Sequence, residues 1–289
     1  MQKSKPKRKV RQGLKQRKPG LEKEMVPLPV DESEVNLPEK KFEGKVVFIS
    51  GGDSGIGRAV AIAFAMHGAD VAISFLPKEK PDAEITKEKV EFFGRQCLLL
   101  PGNITNEQHC KKIITATHKK FGRLDVLINN AAVHYPKKSI TEISAKQLKE
   151  TFEINMFSMF YFVKAALRYL KEGSCIINTA SVTAFRGSPH LLDYSATKGA
   201  IISFTRSLSA SLGKKKIRVN AVAPGPVWTP LIVSSMPPKE ISTFGTDAPI
   251  GRAAQPYEIA SSYIFLASDE SLFINGQTLH PNGGEIING

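Results

Sequence analysis

Residues 49–60 read "ISGGDSGIGRAV": a short apolar run breaks into four glycines, and a helical pattern follows at once. A strand, a glycine turn and a helix N-terminus in that order make an anion site, because free backbone N–H groups and the helix dipole point outward from it. Gly51 permits the tight turn, Gly55 lets a pyrophosphate approach the backbone, and Gly57 lets the helix pack close to the strand. The spacing is G-x-x-x-G-x-G rather than the commoner G-x-G-x-x-G, and glycines alone mark no more than a turn. The surroundings decide between a bare turn and a dinucleotide site.

Those surroundings alternate. Apolar runs at 45–50, 70–75, 96–100, 124–130, 174–180, 216–223 and 276–280 read as seven strands. Helical patterns at 55–68, 82–94, 106–122, 144–170, 193–213 and 255–268 separate them, the fourth being one long helix. Strands that are apolar on both faces and separated by helices demand a parallel sheet covered on both sides. The expectation is a single doubly wound α/β domain over residues 44–289, with a seven-stranded parallel sheet and helices on both faces. Residues 230–252, punctuated by Pro and Gly after the sixth strand, suit a substrate lid.

The chain has 289 residues, 42% hydrophobic and 23% charged, the composition of a soluble globular protein. No apolar run is long enough to cross a bilayer and the start lacks a secretory signal, so no membrane and a cytoplasmic location are expected. Cys97, Cys110 and Cys175 lack metal-ligand spacing and read as reduced thiols. His134, His190 and His280 are scattered too, and no metal is expected. Much of the formal charge of +13 lies at the start, where residues 1–20 carry nine Lys or Arg and no acid, while the body from Gly44 onward, with 28 basic and 20 acidic residues, is still +8. Without interleaved aromatics or a groove-reading motif, nucleic acid is an unfavoured partner and a solvated arm the simpler reading. Residues 21–43 turn acidic and Pro-rich, so 1–43 reads as a partly disordered extension ending in a linker.

One further stretch carries chemistry. In "DYSATKGA", residues 193–200, Tyr194 and Lys198 lie four apart, which on a helix places them on one face roughly 5–6 Å from each other. A solvated Tyr/Lys pair is the ordinary meaning of such spacing. A cation held near a phenol also favours phenolate and makes a general acid and base near working pH. Ser181, just past the fifth strand, falls at the carboxyl edge of the sheet, where its hydroxyl either caps the strand or meets a substrate oxygen. Asn155, a polar amide among large apolar residues, needs buried hydrogen-bond partners.

Taken together, "SGGDSGIG", "NNAA" at 129–132, Asn155, Ser181, Tyr194-x-x-x-Lys198 and "PGPVWTP" at 224–230 resemble the short-chain dehydrogenase/reductase family of classical type. The set stands in the family's order and spacing from about Gly44 to the C-terminus. "KPGLEKEMVPLP" in the tail resembles a bacterial branch of general-stress and glucose-dehydrogenase-like members. The resemblance implies a Rossmann fold, NAD or NADP as cofactor, a small alcohol or carbonyl substrate and a homotetramer. It implies Asn155, Ser181, Tyr194 and Lys198 as catalytic residues, with Asn155 holding a water that relays protons to Lys198. As cofactor contacts it implies Ser50, Gly51, Asp53, Ser54, Gly55, Ile56, Gly57, Phe75, Asn103, Ile104, Asn130, Ala131, Ala132, Thr179, Tyr194, Lys198, Pro224, Gly225, Val227 and Thr229. Ser50 stands where the family has threonine and Asn103 where it has aspartate.

Phe75 takes the place at the end of the second strand where NAD-binding members carry an acid. Lys78 or Lys80 could reach a 2′-phosphate, while Glu79 between them complicates that field. Arg58, just after the last glycine, reads equally as a phosphate contact or as a solvated helix-face residue, and the choice between NAD and NADP stays open. Trp228 is expected at the pocket mouth. The alternative to an enzyme is a non-catalytic dinucleotide-binding regulator or scaffold that meets partners through its basic arm. The intact Ser181, Tyr194 and Lys198 speak against it.

Overall fold

A computed structural model describes residues 15–29 and 40–287. The apolar runs pair into one all-parallel sheet of seven strands: β1 (Val46–Ser50), β2 (Asp70–Phe75), β3 (Cys97–Pro101), β4 (Val126–Asn129), β5 (Cys175–Thr179), β6 (Arg218–Val222) and β7 (Thr278–Leu279). Their order is β3-β2-β1-β4-β5-β6-β7. β1 and β4 are neighbours, with Val47 opposite Val126, and the chain reverses its winding between them. A crevice opens at that switch point, outside the carboxyl ends of the strands, which is where such sheets bind ligands.

Successive side chains on a strand point to opposite faces, so each strand feeds two cores. Val47, Ile49, Val71 and Ile73 face α1 (Gly55–Met66) and α10 (Pro256–Ala267), where Phe64 and Tyr263 complete the packing. Phe48, Ala72, Leu127 and Ile176 face the other way, toward Ile114 on α3 (Glu107–Phe121) and Phe162 on α5 (Ser158–Ala166). α2 (Lys80–Phe92) joins β2 to β3, and α7 (Leu192–Leu212) joins β5 to β6 after the short α6 (Thr183–Arg186). α8 (Pro230–Ser235) and α9 (Pro238–Ile241) lie within the segment after β6.

Two regions differ from the sequence expectation. The long helix over 144–170 is α4 (Ala145–Phe152) and α5 joined by a π turn, Glu153–Phe157. Asn155 sits inside that turn, and its amide both accepts from Val133 N–H (2.8 Å) and donates to Val133 C=O (2.9 Å). A π turn is a recurrent device at functional positions. The second difference is the extension. Residues 15–29, expected as arm and linker, lie against the body: Met25 is buried with Trp228, Ile232, Val233 and Ile241. The rest of that extension, 1–14 and 30–39, falls outside the described residues. No helix among the described residues is long and apolar enough to cross a membrane.

Candidate active site

The crevice at the carboxyl edge is a cavity of about 1280 Å³. Small-molecule pockets run to roughly 300–1,000 Å³, so this one has room for a dinucleotide and a substrate together. Its floor is the glycine turn. Gly51 has φ +63°, and a Cβ there would stand 3.0 Å from Ala131 Cα, so the turn admits no side chain. Gly57 packs closer still: a Cβ would come within 1.9 Å of Gly51 O. Ser50 Oγ accepts from Asn130 N–H (2.9 Å) and Ala131 N–H (3.1 Å), and Asn130 Nδ2 donates to Gly51 O (2.9 Å). The glycine turn and the Asn130–Ala132 segment are thereby one rigid unit, the tie that the resemblance assigns to the family's threonine.

Most of the expected cofactor residues line this cavity: Gly51, Asp53, Ser54, Gly55, Ile56, Phe75, Asn103, Ile104, Asn130, Ala131, Ala132, Thr179, Pro224, Gly225, Val227 and Thr229. Ser50, Gly57 and Asn155 are not on its wall and act from behind it. The Asn103 carboxamide oxygen accepts from Thr105 N–H (3.0 Å), which orients the side chain within its turn. Around Phe75 stand Asp53, Lys78 and Glu79. Burial, then the charge of Glu79, holds the Asp53 carboxyl well above the usual carboxylate range. Burial raises Glu79 as well. Asp53 of the glycine turn and Glu79 of the turn after β2 therefore share this end of the cavity, which sequence spacing did not bring together.

At the other end Ser181, Tyr194 and Lys198 share the wall. Ser181 Oγ accepts from Thr183 N–H and Oγ1, each at 3.2 Å, and stands near enough to the Tyr194 phenol to favour its phenolate form. Lys198, buried to 1% exposure, donates from Nζ to Thr179 O (2.7 Å), 5.4 Å from the centre of the Tyr194 ring. Asp193 sets the start of the helix: its carboxylate accepts from Tyr194 N–H (2.9 Å), Gln147 Nε2 (2.9 Å) and Thr151 Oγ1 (3.0 Å). The acid stands in the motif itself, yet its partners on α4 are some forty residues away, so its role was not readable. Asn155 Nδ2 also donates to Thr197 Oγ1 (3.2 Å), so its amide joins the Val133 loop to α7.

The electrostatics differ from the sequence expectation. Burial pushes the Tyr194 phenol up to about 12, with the Ser181 hydrogen bond opposing it. Burial also lowers the Lys198 ammonium to about 7. Taking both groups out of water outweighs the attraction between cation and phenolate that spacing alone suggested.

Two expectations are corrected here. Arg58 is no phosphate contact: it is buried and holds the Glu22 carboxylate and Asp82 Oδ1 (3.4 Å). A helix-face arginine looked solvent-bound because its partner Glu22 lies in the extension. Trp228 is not at the pocket mouth but fully buried, donating from Nε1 to Pro27 O (2.8 Å). Among the described residues no group of His, Cys, Asp and Glu is placed to hold a metal.

His134, read from sequence only as one of three scattered histidines, lies at the site. Its ring stands edge-on to Tyr194 with centres 5.3 Å apart, and its Nε2 is hydrogen-bonded to Ser235 Oγ. Burial above all, and then Lys18, lowers it to about 3. The unfolded chain therefore takes up this proton first, so the contribution is full above about pH 6.5 and is lost as pH falls toward 3. Urea midpoints are expected to fall from pH 6.5 to pH 4.5, with a shallower slope in His134→Gln. An identical slope in both proteins would remove His134 from the acid response.

A parallel seven-stranded sheet, a glycine turn at its switch point and a Ser/Tyr/Lys cluster in the same crevice describe one class of protein, a dinucleotide-binding oxidoreductase. The family described as enoyl-(acyl carrier protein) reductase matches residues 51–285. The uncharacterized oxidoreductase YhdF of Bacillus subtilis is 53% identical, over 94% of this chain and 93% of its own length. The glucose and ribitol dehydrogenase of Daucus carota is 46% identical, over 94% of this chain and 95% of its own. A short-chain dehydrogenase from Burkholderia cenocepacia, solved with NADP, superposes with TM-score 0.79 at 28% identity, covering 84% of this chain and 98% of that one. A 3-ketoacyl-(acyl-carrier-protein) reductase from Brucella melitensis, solved with NADH, gives 0.77 at 30% identity, covering 84% and 98%. The chain belongs to the short-chain dehydrogenase/reductase family and is an NAD(P)-binding oxidoreductase.

Proposed function

We propose that the chain interconverts an alcohol and a carbonyl compound, with Tyr194 as general acid and base, Ser181 as the donor to the substrate oxygen and Lys198 as the cation beside them. The observation that carries this reading is the meeting of the three side chains in the wall of the cavity that the glycine turn opens. A bound nicotinamide, of NAD or NADP, supplies the hydride chemistry. The glycine turn, Asn130–Ala132 and the Pro224–Thr229 segment would hold that cofactor. Ser181 donates to the carbonyl oxygen as negative charge gathers there. Tyr194 gives that oxygen its proton in reduction and takes it back in oxidation. Lys198 holds its ammonium between Thr179 O and the phenol, where it stabilises phenolate when its proton is retained. Asn155 serves as a positioning residue, fixing the Val133 loop to α7.

Substrates with several hydroxyl groups fit the polar wall beyond Tyr194, which includes Tyr135, Glu150, Arg186, Ser188 and His190. The name of the Daucus carota relative, a glucose and ribitol dehydrogenase, supports the same class. Residues 230–252 would act as the lid, since Ile232, Met236 and Phe244 face the cavity from that segment. Absorbance at the reduced-nicotinamide band with polyols and hydroxyaldehydes tests the proposal. No turnover with either cofactor across that panel would favour the scaffold reading instead. Ser181→Ala is expected to lower kcat about 10²–10³-fold, the usual cost of a lost oxyanion donor; an unchanged kcat would take Ser181 out of the mechanism.

A homotetramer fits the surface of α5 and α7. Phe157 and Phe160 are each more than 40% exposed, and Phe160 packs on Phe204 of α7 with ring centres 4.4 Å apart. Apolar surface of that kind marks association sites. Phe160→Asp is expected to shift the mass seen by light scattering to a smaller species. An unshifted mass would place the interface elsewhere.

A further inference from the structure

Residues 16–27 lie before β1, yet they are tied to four separate pieces of the ligand edge. Gln16 N–H donates to Val233 O (2.9 Å) on α8. The Lys18 ammonium donates to His134 O and sits 3.5 Å above the centre of the Tyr135 ring. The Glu22 carboxylate accepts from Gly55 N–H (2.5 Å) at the glycine turn, and Pro27 O accepts from Trp228. The segment therefore runs from the lid, past the loop after β4, to the phosphate turn. At Gly20 it packs so tightly that a Cβ would stand 2.6 Å from Pro230 O.

This path puts Lys18 on the cavity wall with His134, Tyr135, Glu150 and Tyr194. Glu150 lines the cavity, its Oε1 accepts from the Tyr135 hydroxyl (2.8 Å), and its charge favours the Lys18 ammonium. An ammonium has three N–H donors and a carboxylate only acceptors, so side by side they suit hydroxyl groups, which both give and take hydrogen bonds. The charge around Lys18 is mixed, with Glu150 and Asp193 against Lys15 and Lys137, so the wall is not one for a strongly anionic ligand.

We propose that residues 16–27 are a strap that completes the substrate site, and that Lys18, beside Glu150, is a specificity-determining residue for a hydroxyl group remote from the reacting carbon. This rests on the oxidoreductase reading above and deepens its substrate class.

Binding of ribitol to the full chain saturated with NADH or NADPH reads the contact without turnover, because the reduced cofactor cannot accept hydride from an alcohol. Lys18→Met keeps the stem and removes the donors; it is expected to weaken ribitol about tenfold, and Lys18→Arg to restore most of the loss. In kinetics, Lys18→Met should raise KM for glyceraldehyde about tenfold with kcat within about twofold, leaving KM for propanal unchanged. Gly20→Ala, whose Cβ collides with Pro230 O, should reproduce the glyceraldehyde defect with Lys18 intact. Unaltered ribitol affinity in Lys18→Met, or equal KM changes for the two aldehydes, would overturn the proposal. If the wild-type chain turns over neither aldehyde while Lys18→Met still weakens ribitol, the strap contact stands and the proposed reaction is what fails.

Discussion

Tyr194→Phe is expected to lower turnover by at least about 10³-fold while changing the affinity for NADH or NADPH by no more than a few-fold. General acid–base catalysis by a placed side chain is worth roughly 10²–10⁴. Tyr194 is the phenol that shares the cavity wall with Ser181 and stands near the Lys198 ammonium, so its loss removes most of that factor. The substitution deletes one oxygen and leaves the ring against His134, so folding should be nearly untouched. Single-turnover kinetics together with fluorescence titration of the cofactor separate the two effects. A variant that retains a tenth or more of the wild-type rate would assign the proton transfer to another group. A variant that loses cofactor affinity in proportion to rate would make Tyr194 a binding residue only.

The second large effect is on stability. Arg58 is buried in α1 and is the cation for two carboxylates, Glu22 from the strap and Asp82 from α2, both of them buried. Its Nε also donates to Asp53 O (3.0 Å) and Thr86 Oγ1 (3.1 Å), so it joins the strap, the glycine turn and α2. Removing one partner of a buried ion pair leaves uncompensated charge in low dielectric, which costs about 3–5 kcal/mol. Arg58→Ala is therefore expected to lower unfolding free energy by about that amount and to loosen the glycine turn as well. Denaturant unfolding with and without NADH measures both. A loss below about 1 kcal/mol, within the range of a surface pair, would show that the group is effectively solvated.

Much of the fold was readable because it follows from short-range pattern. Each strand is a run of a few apolar residues whose two faces must both be covered, and each helix between them has a periodic apolar face. Parallel topology then follows from their alternation, and the switch point from the glycines at the end of β1. The Ser181, Tyr194 and Lys198 cluster was readable for a similar reason. Two of the three lie one helical turn apart on α7, and the third comes just past the end of β5.

Other features depended on contacts between distant parts of the chain. Arg58 looked like a solvent-facing residue because Glu22 lies 36 residues away in a segment of linker composition. Trp228 looked like a pocket residue because Pro27, its acceptor, is 201 residues away. Asn155 breaks a helix that periodicity carries straight through, and its partner Val133 lies in another loop. The Tyr194 phenol was expected to be governed by its lysine, but burial at that depth depends on everything packed around it.

By itself the amino-acid order determined the class of sheet, the position of the glycine turn and the meeting of Ser181, Tyr194 and Lys198 at one edge of the sheet, since periodicity, glycine spacing and helical geometry act over a few residues. Tertiary structure alone decided that the extension is a strap across the crevice, that Lys18 meets the substrate wall, and which groups gain or lose protons easily. Those outcomes come from burial and from hydrogen bonds between segments far apart in the chain, and no local pattern encodes which distant partner will arrive.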